Sequence, residues 1–274
     1  MKKGNRIEIA EETLKIIEKG FYQTAFGEVI SIKEEMAAAI ASSRLFRPDD
    51  FPAEVSLTKA FAETRFEVTD ETTIDAIKRV CSENANANPF VLNFASAKNP
   101  GGGFLGGAQA QEESLARSSG LYPCLSANFR MYEHNRREKS CLYSDYMIYS
   151  PLIPVFRNDD GSFFSKSSLA SFITSPAVNA GVVNRQEPEN VKLIELTNFQ
   201  RARKFLWIAN QHQHKTLILG AWGCGVFQND PQMIAKVFAE LLRNDFNGCF
   251  ERVVFAVYDN SSSKRAFNAF VKTF

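Results

Sequence analysis

Two adjacent carboxylates, Glu112 and Glu113, close the stretch NPGGGFLGGAQAQEES at 99–114, and seven residues, Phe104 to Ala110, separate Gln111 from the triplet Gly101, Gly102 and Gly103. Paired acids in a poorly solvated cleft push one pKa upward, and a general acid working near neutral pH needs that shift. On a helix, adjacent residues point about 100° apart, so the two acids can hold different jobs. Glycines remove every Cβ, which lets backbone amides approach a phosphate or a ribose closely. The same residues also fit a plainer arrangement: a tight strand-to-helix turn, then two solvated glutamates favoured by a helix dipole that lowers both pKa values.

A second glycine loop, GAWGCGVFQNDP at 220–231, carries Gly220, Gly223 and Gly225 and, like the first, holds no Lys or Arg. A loop that offers only amides and a helix N-terminus suits a diphosphate read by geometry. Phe227 can shield a sugar or base beside it, whereas Trp222 and Cys224 read as core aromatic and small filler. Cys224 as a nucleophile needs a base, and no histidine is placed by sequence to serve.

The elements that must position these loops follow from pattern. Two helices fill the first ~45 residues by helix-period counting. RPDDFP, with two prolines, marks a hinge, so 1–50 is expected as an N-terminal helical extension and 51–274 as the main domain. Beyond it, NPFVLNFAS is a buried strand feeding the first loop, and a helix carrying QEESLARSS ends at Gly120. KTLILGAWGCGVF is a strand feeding the second, followed by a helix with Asp230 as N-cap and Pro231 at its first position. A long helix spans about 190–213, ERVVFAVYDN is a last strand and SSSKRAFNAFVKTF a terminal helix, by the same pattern rules. Strands alternating with helices imply an α/β sandwich, and both loops fall at the C-terminal strand ends where ligands collect.

Composition excludes several classes. The 274 residues hold 32 basic and 31 acidic side chains, a formal net charge of +1, so no global field draws the chain to nucleic acid or an anionic membrane. The N-terminus lacks the apolar core of a signal peptide, and no run approaches a membrane span. Five cysteines without CxxC spacing argue against a disulfide framework or a zinc ribbon and for a reducing, cytoplasmic compartment. His212 and His214 form HxH, read as a solvated helix end and not a metal site. HNRREK, 134–139, reads as a solvated helix face or loop, with steering of an anionic polymer as the lesser alternative.

Taken together, the triplet, the seven-residue spacer and Gln-Glu-Glu resemble the bacterial-type poly(ADP-ribose) glycohydrolases, built on a macrodomain. NFASAKNPGGGF, YSPLIPVFRNDDG, ITSPAVNAG and GAWGCGVFQNDP extend the resemblance over roughly residues 60 to 260. It implies a macrodomain-like three-layer α/β sandwich with a mixed central sheet and exo-type hydrolysis of the ribose–ribose bond. Glu113 would be the general acid/base and Glu112 the holder of ribose hydroxyls. Gly101 to Gly103 and Gly223, Cys224, Gly225, Val226 and Phe227 would line the diphosphate and terminal ribose. Asn93, Ser96, Gln111 and Asn179 would join the binding residues. No metal or cofactor is implied. The expected partners are poly(ADP-ribose) or an ADP-ribosylated protein, with ADP-ribose as product. An ADP-ribose reader without turnover and a hydrolase of mono-ADP-ribosyl links are the alternative readings.

Overall fold

The computed structural model describes residues 1–52, 56–84 and 86–274. The chain opens with α1 (Lys3–Lys19), a hairpin of β1 (Phe21–Gln23) and β2 (Val29–Ser31), α2 (Lys33–Ser42) and β3 (Arg44–Phe46). Then come β4 (Arg65–Thr69), α3 (Thr73–Glu83), β5 (Phe90–Phe94), α4 (Gln111–Ser118), α5 (Leu121–Ala127) and α6 (Arg130–Arg137). Two long strands, β6 (Met147–Arg157) and β7 (Phe163–Ser175), lead to α7 (Ala180–Gln186) and α8 (Ile194–Gln211). β8 (Thr216–Leu219), α9 (Pro231–Arg243), β9 (Arg252–Ala256) and α10 (Arg265–Thr273) complete the fold.

Among the described residues the main sheet has seven strands in the order β3-β6-β7-β5-β8-β9-β4. β3, β6 and β7 pair antiparallel, and the pairs from β7 through β5, β8 and β9 to β4 are parallel. The sheet is therefore mixed, as expected. Alternation along each central strand sorts its side chains into two layers. Phe90, Leu92, Leu217, Leu219, Val253 and Phe255 face the core shared with α8, α9 and α10. Val91, Ile218 and Val254 face the core shared with α3, α4, α5 and α6. Helices on both faces make the three-layer sandwich.

Three expectations need correction. The first residues hold more than two helices: Val29–Ser31, expected inside a helix, pairs with β1, because Gly27 turns the chain at φ +84° and Ile30 sits opposite Tyr22. Arg44–Phe46, also expected as helix, pairs antiparallel with Met147–Tyr149, so the segment before residue 51 supplies an edge strand of the main sheet. Gly120 does not close a helix: α4 stops at Ser118, Ser119 bridges to Val155, and Gly120 precedes α5. The expected hinge, residues 47–52, lies within the described residues, and Pro48–Asp50 forms a 3-10 turn in it.

Candidate active site

β5, β7, β8 and β9 run parallel, so their C-terminal ends share one edge of the sheet, and both glycine loops leave from it. β5 pairs with β7 from Phe90 to Phe94 but with β8 only at Phe90 and Val91. The two strands carrying the loops part above Val91, and Gln111 fills the split. Its Oε1 accepts from the Phe94 amide at 2.9 Å, and its Nε2 donates to Leu92 O at 2.8 Å and Thr73 Oγ1 at 3.2 Å. These two backbone groups flank Asn93 and face the missing neighbour, so the side-chain amide stands in for one residue of a parallel strand. The first helical residue of α4 is thereby fixed to the sheet, with both ends of its amide committed to protein.

From that anchor Glu112 turns inward and is 3% exposed. Its Oε2 accepts from the Ser96 amide at 2.6 Å and its Oε1 from Asn93 Nδ2 at 3.3 Å. Burial, reinforced by the charge of Glu113 and opposed by the amides of Ser96 and Gly101 and by Asn93, pushes the Glu112 carboxyl up to about 8. Glu113, half-buried, points at the loop, where its Oε1 accepts from the Gly103 amide at 2.9 Å. Asn93 is buried, shares Nδ2 with Thr174 Oγ1 at 3.1 Å and, among the described residues, has no partner on Oδ1. Ser96 works through its amide, while its hydroxyl accepts from the amides of Lys98 and Asn99.

The middle residue of the triplet, Gly102, must be glycine. Its φ is +60°, and a Cβ built there would lie 2.9 Å from Glu113 Cδ and 3.1 Å from Glu112 Oε2, with Glu113 Oε1 nearer still. The loop lies directly on both carboxylates. The plainer arrangement of two solvated glutamates is excluded for Glu112 by its burial.

The second loop is built on side chains that local pattern does not reveal. Trp222 is fully buried and donates from Nε1 to Ser175 O at 2.9 Å, which supports its reading as core. Asn229 Nδ2 donates to Val178 O at 2.7 Å and Gly223 O at 3.1 Å, and its Oδ1 accepts from Asn198 Nδ2 at 2.9 Å. Asn198 Oδ1 accepts from the Val178 amide at 3.0 Å, so two buried asparagines tie this loop to the segment after β7. Cys224 is pushed up in pKa by burial, which suits a filler and not a nucleophile. Gly225 and Val226 stand exposed at the tip. Phe227, half-buried, meets Tyr143 with centroids 5.9 Å apart, and Tyr143 sits at φ +59°. Asn179 caps α7, its Oδ1 accepting from the Val182 amide at 3.2 Å.

The reading of the histidine pair holds for His212, which is exposed at the C-cap of α8, and needs correction at His214. His214 lies beyond the end of α8 and is 6% exposed, held by Tyr149 Oη at 2.7 Å and Asn88 O at 3.1 Å, while His212 stacks on Tyr149 at 4.2 Å. It is a packed element of the core and not a solvated helix end, because the chain turns inward after Gln213 at φ +56°.

A three-layer sandwich on a mixed sheet, with a glycine loop seated on paired acids at the strand ends, defines a macrodomain-like protein. Residues 10–158 match the family described as microbial-type PARG, catalytic domain. The chain belongs to that family. It is similar to the poly(ADP-ribose) glycohydrolase (PARG) from Thermomonospora curvata, with 43% identity over 99% of this chain and 100% of that one and a TM-score of 0.91. The structure of PARG from that organism bound to the inhibitor ADP-HPD gives 44% identity over 99% and 100% and a TM-score of 0.90. PARG from Deinococcus radiodurans in complex with ADP-ribose gives 45% identity over 87% of this chain and 96% of that one, at a TM-score of 0.82. No curated protein matches the chain. Among the described residues no helix is long and apolar enough to cross a membrane.

Proposed function

We propose that this chain is a poly(ADP-ribose) glycohydrolase that removes ADP-ribose from the polymer end, with Glu113 as general acid/base. The observation that carries the assignment of roles is the contact of Glu113 with the Gly103 amide, which places a half-buried acid at the loop suited to a diphosphate. Glu113 gives a proton to the leaving ribose oxygen as the glycosidic C–O bond breaks, and an oxocarbenium-like centre forms at the anomeric carbon. The Glu113 carboxylate then takes a proton from water as the water oxygen bonds to that carbon, which restores the acid. Glu112, fixed by Ser96 and Asn93, holds the ribose hydroxyls, and Gly223 to Phe227 with Asn179 line the far side of the ligand.

Under this reading residues 51–274 form the catalytic domain, and 1–50 form an extension that lends β3 to its sheet. Five free cysteines fit residence in a reducing cytoplasm. The test is Glu113→Gln, which preserves shape and removes the proton. Release of ADP-ribose from polymer should fall about 10³-fold, while calorimetry shows ADP-ribose bound as in the wild type. A variant that trims polymer at the normal rate removes Glu113 from the mechanism. Wild-type protein that binds ADP-ribose yet trims nothing is a reader.

A further inference from the structure

The first glycine loop holds no cation of its own, yet guanidinium groups from outside grip its two ends. At its start, Arg136 on α6 donates from Nε to Lys98 O at 2.8 Å and from Nη2 to Asn99 Oδ1 at 3.2 Å. At its end, Arg6 on α1 donates from Nε to Gly107 O at 2.7 Å, and Arg117 donates from Nη1 to the next carbonyl, Ala108 O, at 2.8 Å. α1 is itself pinned to α4, since Thr13 Oγ1 donates to Arg117 O at 2.6 Å. All three arginines meet carbonyls. Between the grips, the carbonyls of Asn99, Gly101, Gly103 and Phe104 are consumed by turns within the loop. The Gly103 amide is left to face Glu113, and the Gly101 amide to face Glu112.

We propose that Arg136 and Arg6 are positioning residues that bracket this loop, holding its carbonyls outward so that its amides stay aimed at the acid pair. A guanidinium used this way fixes peptide orientation without putting a competing cation inside the site. The bracket gives Arg136 of the basic run and Arg6 of α1 a task at the loop. Its catalytic consequence rests on the proposed glycohydrolase reading, but its structural content does not.

Arg136 is exposed, so Arg136→Met and Arg136→Lys should fold, and Arg6→Met tests the other end. Hydrogen exchange of the amides at 101–107 should quicken about tenfold or more in all three, since each loses at least one charge-assisted hydrogen bond to the loop, with the melting temperature close to that of the wild type. If the chain trims polymer, kcat should fall about tenfold with KM little changed, equally for Met and Lys at position 136 and equally at low and high ionic strength. Loop exchange unchanged in the variants overturns the bracket whether or not the enzyme is active. Recovery by Lys, or an effect that salt abolishes, assigns Arg136 to charge steering and also overturns it. Wild-type protein that trims nothing while its variants exchange faster defeats the glycohydrolase reading alone.

Discussion

The Gly103 amide donates to Glu113 Oε1 across 2.9 Å, so the loop and the acid it covers are one unit. Gly102 is the hinge of that unit. Alanine there places a Cβ 2.9 Å from Glu113 Cδ at φ +60°, and the backbone or the acid must move. Turnover should drop about 100-fold, the effect of a displacement near 1 Å at a reacting group. Gly106→Ala is the control, because nothing lies within 4 Å of a Cβ at that position. Steady-state rates on polymer for the two variants decide it: equal loss in both denies Gly102 its special place.

Gln111 makes a different prediction, because its amide replaces a strand. Gln111→Leu removes the bonds to Phe94 N and Leu92 O and leaves two backbone groups without partners in the gap between β5 and β8. The cost should be about 3 kcal/mol in urea unfolding, at roughly 1 to 3 kcal/mol for each orphaned group. A loss below about 1 kcal/mol means that water or β8 replaces the amide easily.

Local features of this site were legible in the sequence and long-range ones were not. Glu112, Glu113 and the triplet are separated by a few residues, so spacing exposes them, and Asp230 and Pro231 announce the start of α9 in the same way. β7 carries FFSKSS in its first half, a run without apolar alternation, and only the sheet around it shows it to be a strand. Gln111 reads as a ligand contact until the split between β5 and β8 is seen. Arg6 and Gly107 are 101 positions apart, so no window contains both. Asn198 and Asn229 read as ordinary polar residues, because burial is a property of the packed fold.

Glu112 should impose a pH dependence on stability. Its carboxyl is raised from the ordinary 4.5 to about 8, chiefly by burial. A raised carboxyl contributes stability that is fully present below pH 4.5, declines as the pH rises because the unfolded chain releases its proton first, and is lost above about 8. Glu112→Gln has no such titration. Urea unfolding from pH 4.5 to 8 should therefore show the wild type losing stability relative to the variant. Parallel curves for the two proteins contradict the burial argument.

His214 works in the opposite direction. Asn88 O can only accept, so Nδ1 carries the proton, and Nε2 accepts from the Tyr149 hydroxyl. Burial is the main reason that its pKa falls from 6.5 to about 4. A depressed histidine contributes stability that is present above pH 6.5 and lost as the pH falls towards 4, because the unfolded chain takes up the proton first. His214→Leu takes one partner each from the Tyr149 hydroxyl and the Asn88 carbonyl and should cost about 2 kcal/mol at neutral pH. The same variant should lose less stability than the wild type on acidification from pH 6.5 to 4, so the two curves converge. His212, stacked on Tyr149 in the wild type, remains in the variant, so the convergence belongs to His214. A constant gap between the curves means that His214 ionises in the folded protein as readily as in the unfolded chain.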